Sequence, residues 1–180
     1  NPNNFVRNGQ PVGQMQGYSA PLVVTEAITW LKEKRDASKP FFLAVWTHEP
    51  HYPIKSDPKF KALYPDLTDD VQSEHHANVT QMDHAFGMLM KELDEQKLTD
   101  NTFVFFTSDN GAEGDGIKSP GRGSSGGLRG RKRDLHEGGI RVPAFITYPG
   151  FVRQGEVNSA FATVQDITPT ILDVAGVPHP

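Results

Sequence analysis

Hydrophobic and polar positions change period several times along the chain, and each change predicts an element. Val24, Ala27, Ile28 and Leu31 recur at helical spacing. Ser19 offers an N-cap before them, and Pro21 suits a first turn, so an amphipathic helix is expected over roughly 20–36. "PFFLAVWTH", residues 40–48, is a continuous apolar run with aromatics, the pattern of a strand covered on both faces. Residues 49–66 are proline-rich and predict a surface excursion with a helical turn at most. From Thr68 to Leu98 the helical period returns through Val71, His75, Val79, Met82, Phe86, Leu89, Met90 and Leu93. Thr68-Asp69-Asp70 puts acid at the start of that helix, where the dipole favours it. "NTFVFF", 101–106, predicts a second buried strand and "IRVPAFITYPG", 140–150, a third. "DITPTILDVAGV", 166–177, predicts a closing helix with Gly176 near its end.

Helix, strand, long helix, strand, loop, strand, helix implies an α/β fold, a layered αβα arrangement with a mostly parallel sheet. Residues 1–180 suit one domain, with 1–18 as an irregular arm and 108–139 as a long glycine-rich loop. A loop of that length inside a compact domain is usually functional or disordered.

Composition narrows the function classes. The chain is 36% hydrophobic and 22% charged, with a formal net charge of -4, so nothing directs the whole chain to nucleic acid. Mean hydropathy is -0.50 and no apolar run is long enough to span a membrane. The basic residues cluster: Lys118, Arg122, Arg129, Arg131, Lys132 and Arg133 fall within sixteen positions. That local excess suits an anionic ligand better than a polyanion track. The absence of cysteine removes disulfides, thiolate zinc sites and cysteine nucleophiles. Asn1 is not preceded by methionine or a secretory pattern, so a processed or truncated piece is expected. Asn78-Val79-Thr80 matches a glycosylation acceptor, a triplet so common by chance that the incidental reading is preferred.

Three constellations carry chemistry. The first is Ser108-Asp109-Asn110-Gly111, straight after the "FVFF" strand, where α/β folds gather their ligand sites. Asp109 supplies an anionic oxygen and Asn110 a neutral one, a mixture suited to calcium or magnesium rather than zinc. Alone, Asp-Asn-Gly is also an ordinary turn. The second is "THEPHYP", 47–53, which places His48 and His51 at the end of another strand. A histidine there can donate to an oxyanion or protonate a leaving oxygen; His51 serves a loop carbonyl equally well. The third is "GLRGRKRDLHEGGIRVP", 127–143, where Lys132 precedes Glu137-Gly138-Gly139 on a glycine-rich loop. Such a lysine is a mobile point charge for an anion, and a solvated basic loop is the plain alternative. His136 could line a pocket or cap the loop.

Together "GYSAPLVVTEAITWL", "PFFLAVWTHEPHYP", "DNTFVFFTSDNGA", "KRDLHEGGIRVPAFITYPG" and "DITPTILDVAG" resemble, in that order, the sulfatase family of the alkaline-phosphatase-like superfamily. The flavour is that of the arylsulfatase and N-acetylgalactosamine-6-sulfatase group. The resemblance implies that Asp109 and Asn110 are two ligands of a calcium ion at the base of a sulfate pocket. It implies that His48 contacts the sulfate or the leaving oxygen and that Lys132 binds a sulfate oxygen. His51, Arg131 and His136 are then candidates for shaping the substrate pocket. The partners implied are a sulfated small molecule or sugar and the rest of a catalytic domain, in a periplasmic, secreted or lysosomal setting.

One departure matters. The family nucleophile is a formylglycine made from Cys or Ser in a Cys/Ser-x-Pro-x-x-Arg motif, and "SPGR" at 119–122 has the wrong spacing. The resemblance therefore implies the carboxyl-proximal part of a sulfatase domain, inactive by itself. A phosphodiesterase or phosphonate hydrolase of the same superfamily and a silent anion-binding remnant are the other readings.

Overall fold

The computed structural model describes residues 1–113 and 123–178. Lys118, Arg122 and the "SPGR" stretch lie outside the described residues. A short hairpin of β1 (Val6–Arg7) and β2 (Gln10–Pro11) precedes helix α1 (Ser19–Glu33). One-turn helix α2 (Pro58–Lys61) leads to the long helix α3 (Asp70–Glu95). Strand β3 (Val104–Thr107), one-turn helix α4 (Glu137–Ile140), strand β4 (Ala144–Thr147) and helix α5 (Ile167–Val174) follow.

The core forms where α1 meets α3. Ala20, Val24, Ala27 and Leu31 line the buried face of α1, the stripe its periodicity predicts. Ala20, Val24 and Ala85 make the centre, with Ile28, Val45, Met82, Met88 and Leu89 packed around them. Each large aliphatic side chain fully buried here contributes about 1.5–3 kcal/mol. Lys32 Nζ reaches Glu92 Oε2 across the same two helices at 2.7 Å.

Ser19 is not the N-cap. Tyr18 occupies that position without a side-chain cap bond, and Ser19 is the first helical residue. The long helix differs from expectation in its face. Val71 and Val79 are exposed, whereas Ala77, Ala85 and the polar Glu74, Asn78 and Gln81 are buried. Small residues let α1 approach closely, and the polar ones are buried because they bond the excursion that precedes α2. Asn78, only 2% exposed, donates through Nδ2 to the Lys55 carbonyl at 2.8 Å. It is thus no accessible glycosylation acceptor. The end of α3 is capped by Lys97 in the left-handed region at φ 58°. At α5, Gly176 N–H donates to Asp173 O and Val177 N–H to Leu172 O, the helix stop its position predicts.

Residues 41–48 alternate between half-buried and exposed but join no ladder among the described residues. Phe42 is 74% and Trp46 87% exposed, so the run is covered on one side rather than two. Val45 points into the core, and Phe41 meets Trp30 edge-on at 6.3 Å.

The mostly parallel sheet is corrected as well: among the described residues both ladders are antiparallel. Thr107 pairs with Ala144 and Val104 with Thr147. Among its described residues, the connection from β3 to β4 carries a one-turn helix and no longer crossover helix of the kind that joins parallel strands. It leaves β3 and enters β4 at the same rim. Phe106 stacks on Phe145 at 4.8 Å, and Phe86 of α3 meets both rings edge-on. Helices and small sheets of this kind are compatible with an incomplete α/β domain.

Candidate active site

The rim shared by β3 and β4 gathers two of the three sequence constellations. Asp109 and Asn110 follow the carboxyl end of β3, and the glycine-rich return carries Lys132 and His136 back to β4. Two backbone bonds join these stretches. Gly111 N–H donates to Gly139 O at 2.8 Å, and Lys132 N–H donates to Ala112 O at 3.0 Å. Glycine is required for this closeness. A Cβ on Gly111 would stand 1.9 Å from the Gly138 oxygen, and one on Gly138 would stand 2.1 Å from the Gly130 oxygen.

Within the first loop, Asp109 Oδ1 accepts from the Asn110 amide at 2.9 Å, and Asn110 Nδ2 donates to Gly111 O at 2.9 Å. These bonds orient both side chains. Among the described residues, no hydrogen bond reaches the Asn110 amide oxygen or Asp109 Oδ2. One anionic and one neutral oxygen fit a hard divalent ion such as calcium. Calcium takes six to eight oxygens, and no group of three His, Cys, Asp or Glu that could hold a metal stands among the described residues. Asp109 and Asn110 can therefore supply only part of such a shell.

The basic loop is tied to the same turn by charge. Lys132 Nζ lies 3.4 Å from Glu113 Oε2, and an Arg133 guanidinium nitrogen lies 2.9 Å from Glu113 Oε1. The hydrogen bond from Arg133, together with the charge of Lys132, holds the Glu113 carboxyl below the usual carboxylate range. Lys132 is half-buried and Arg133 exposed. Arg131 N–H is held by Asp134 Oδ2 at 2.9 Å. His136 is the N-cap of α4 but makes no side-chain cap bond.

His48 and His51 form a pair of their own, with ring centroids 5.2 Å apart. The turn closes through His51 N–H donating to His48 O at 2.9 Å. His51 Nδ1 lies 2.6 Å from the Tyr52 carbonyl oxygen. A carbonyl only accepts, so Nδ1 carries the proton and Nε2 is the ring nitrogen turned to solvent. Both histidines are exposed. No hydrogen bond or ring contact among the described residues links them to Asp109, Asn110 or Lys132.

Glu49, the neighbour of His48, carries no local mark in the sequence. Glu49 is 8% exposed, and its Oε1 accepts from Ala20 N–H at 2.7 Å, supplying the cap that Ser19 does not. Gln81, fully buried, donates to the same oxygen at 3.4 Å and accepts from Asp57 N–H at 2.9 Å. Glu74 Oε1 accepts from both the amide and the hydroxyl of Ser56 at 2.6 Å. Glu74, Asn78 and Gln81 recur at i, i+4, i+7, a polar stripe whose spacing is in the sequence but whose burial comes from the packing of α3.

Comparison with known proteins decides the family. The family model described as Sulfatase matches residues 1–177. The chain belongs to the sulfatase family. It is 35% identical over 165 residues to the N-acetylgalactosamine-6-sulfatase of Canis lupus familiaris, covering 88% of this chain and 29% of that protein. It is 30% identical over 184 residues to human steryl-sulfatase, covering 98% of this chain and 30% of the relative. The sulfatase chain thus spans under a third of the length of these curated relatives. Among solved structures, Ps i-CgsB, crystallised with k-i-k-neocarrahexaose, superposes with a TM-score of 0.86 at 26% identity. That likeness covers 96% of this chain and 37% of the other. Among the described residues, no helix of this sulfatase is long and apolar enough to cross a membrane.

Proposed function

We propose that this chain contributes the metal-, sulfate- and leaving-group-contacting residues of a sulfuric ester hydrolase acting on a sulfated sugar or aryl sulfate. The single observation that carries the reading is the pair of backbone bonds, Gly111 to Gly139 and Lys132 to Ala112, which joins the loop of Asp109 and Asn110 to the loop that carries Lys132. A cation site next to a fixed cationic side chain is the electrostatic arrangement that a sulfuryl group needs as charge builds on its oxygens. The layered αβα arrangement of the superfamily is the frame into which α1, α3 and the β3–β4 pair fit.

Asp109 and Asn110 would hold a calcium ion, which when bound would supply Lewis-acid stabilisation of the sulfuryl oxygens. Lys132 pairs with one sulfate oxygen, exchanging Glu113 for the substrate. His48 serves the leaving oxygen, and His51, with its ring centroid 5.2 Å from that of His48, shapes the substrate pocket beside it. With the Nδ1 proton of His51 engaged by Tyr52, any proton transferred there passes through Nε2. Arg131 and His136 shape the substrate side of the pocket. The nucleophile comes from outside these residues. The sugar substrate is supported by the N-acetylgalactosamine-6-sulfatase relatives.

The test is hydrolysis of matched sulfate and phosphate esters by the full-length protein, with Lys132→Ala, His48→Ala and His51→Ala alongside. Sulfate esters are cleaved, and each variant loses on the order of 10²-fold or more in kcat/KM. Preference for phosphate esters, or variants as fast as the parent on sulfate esters, overturns the reading.

A further inference from the structure

Glu49 is a buried carboxylate with no place in the chemistry above, and its surroundings ask for one. A carboxylate withdrawn from water is costly unless its oxygens are bonded. Here Oε1 accepts from Ala20 N–H and Gln81 Nε2, while Oε2 is buried without a partner. An apolar residue with a conventional N-cap at position 18 or 19 would serve folding at least as well. What Glu49 adds is location. It lies directly between His48 and Pro50, inside the turn closed by His51 N–H to His48 O. The residues on either side of it, His48 and Pro50, are exposed, so this turn has its anchor at Glu49.

The anchor is rigid on both sides. Ala20 is wholly buried in the core beside Val24 and Ala85, and Gln81 is wholly buried on α3. The far end of the same excursion is held by Asn78 to Lys55 O, Glu74 to Ser56, and Gln81 to Asp57 N–H. The polar stripe of α3 therefore clamps residues 55–57, and the α1 amino terminus clamps residue 49, on either side of His51 along the chain.

From this geometry we infer that Glu49 is a positioning residue: by capping α1 it fixes the His48–His51 turn against the α1–α3 core and so sets where both imidazoles present their nitrogens. The inference rests on the proposed role of those histidines, and it is tested so that the two can fail separately. In the full-length protein, Glu49→Ala removes the anchor, and Glu49→Gln keeps an acceptor oxygen of the same reach. Glu92→Gln breaks the Lys32–Glu92 pair between the same helices without touching the turn.

Glu49→Ala lowers kcat for a sulfate ester by on the order of 10- to 100-fold with KM within about threefold, since a small displacement of an acting group costs rate more than binding. Glu49→Gln restores most of that rate, and Glu92→Gln leaves it unchanged. Amide hydrogen exchange gives the independent readout: the His51 and Ala20 amides lose protection in Glu49→Ala and regain it in Glu49→Gln. If the parent hydrolyses no sulfate ester, the proposed function falls, and the exchange pattern alone decides the anchor. Retained protection at His51 in Glu49→Ala overturns the inference. So does a kcat loss in Glu92→Gln equal to that of Glu49→Ala, because general loosening of the helices then explains both.

Discussion

Lys132 and Ala112 are joined through their backbones, the amide of one donating to the carbonyl of the other at 3.0 Å. Nineteen residues of chain lie between them, yet the bond joins Lys132 to a residue two positions past Asn110. Gly111 seals the same junction against Gly138 and Gly139. Gly111→Ala forces a Cβ into a space 1.9 Å from the Gly138 oxygen, so the two loops must part. A loss of about 1–3 kcal/mol is expected from chemical denaturation, together with weaker calcium binding by titration calorimetry. Unaltered calcium affinity would show that the junction does not organise Asp109 and Asn110.

Glu113 competes with any anion for Lys132 and Arg133. Replacing it by glutamine removes the negative charge while keeping the side-chain length. Sulfate, measured by calorimetry or as a competitive inhibitor of the full-length protein, should then bind several-fold more tightly, on the order of the effect of one exposed ion pair. Weaker sulfate binding in Glu113→Gln would instead mean that Glu113 holds Lys132 in its working position.

Metal removal has a distinct signature. Calcium at about 100 times its dissociation constant stabilises a protein by about 2.7 kcal/mol. Chelation should therefore lower the melting temperature of the full-length protein, and Asp109→Ala should abolish the difference between the chelated and calcium-loaded states. A chelator effect of undiminished size in Asp109→Ala would place the ion elsewhere.

Acid should weaken the α3 region before carboxylates protonate. Burial, reinforced by the neighbouring His76, holds the His75 imidazole below its ordinary pKa, and its Nδ1 is buried without a partner. The unfolded chain then binds the proton more readily than the folded one. Stability from this group is complete above about pH 6.5 and falls as pH drops toward the folded value. Denaturant midpoints between pH 7.5 and 5 should decline less steeply in His75→Leu. Equal slopes in the two proteins would remove His75 from the acid response.

The residues of the proposed site carry local marks in the sequence. Asp109 and Asn110 stand out because a strand ends in a carboxylate, a carboxamide and a glycine, and Lys132 because of its spacing to Glu137-Gly138-Gly139. Helices α1, α3 and α5 were legible because their apolar periods survive averaging over several turns, and Gly176 because left-handed backbone favours glycine. Glu49 was not legible. Its significance lies in meeting Ala20, 29 residues away, and no local pattern marks a side chain that caps another element's helix.

The existence and order of α1, α3, β3, β4 and α5 and the residue types at each loop were determined by the sequence itself, since they follow from side-chain chemistry and spacing over a few residues. Strand direction, the exposed outer face of residues 41–48 and the polar stripe of α3 were decided only by tertiary structure. Those depend on which surfaces approach each other, and close approach of α1 selects small and hydrogen-bonded residues where periodicity alone asks for large apolar ones.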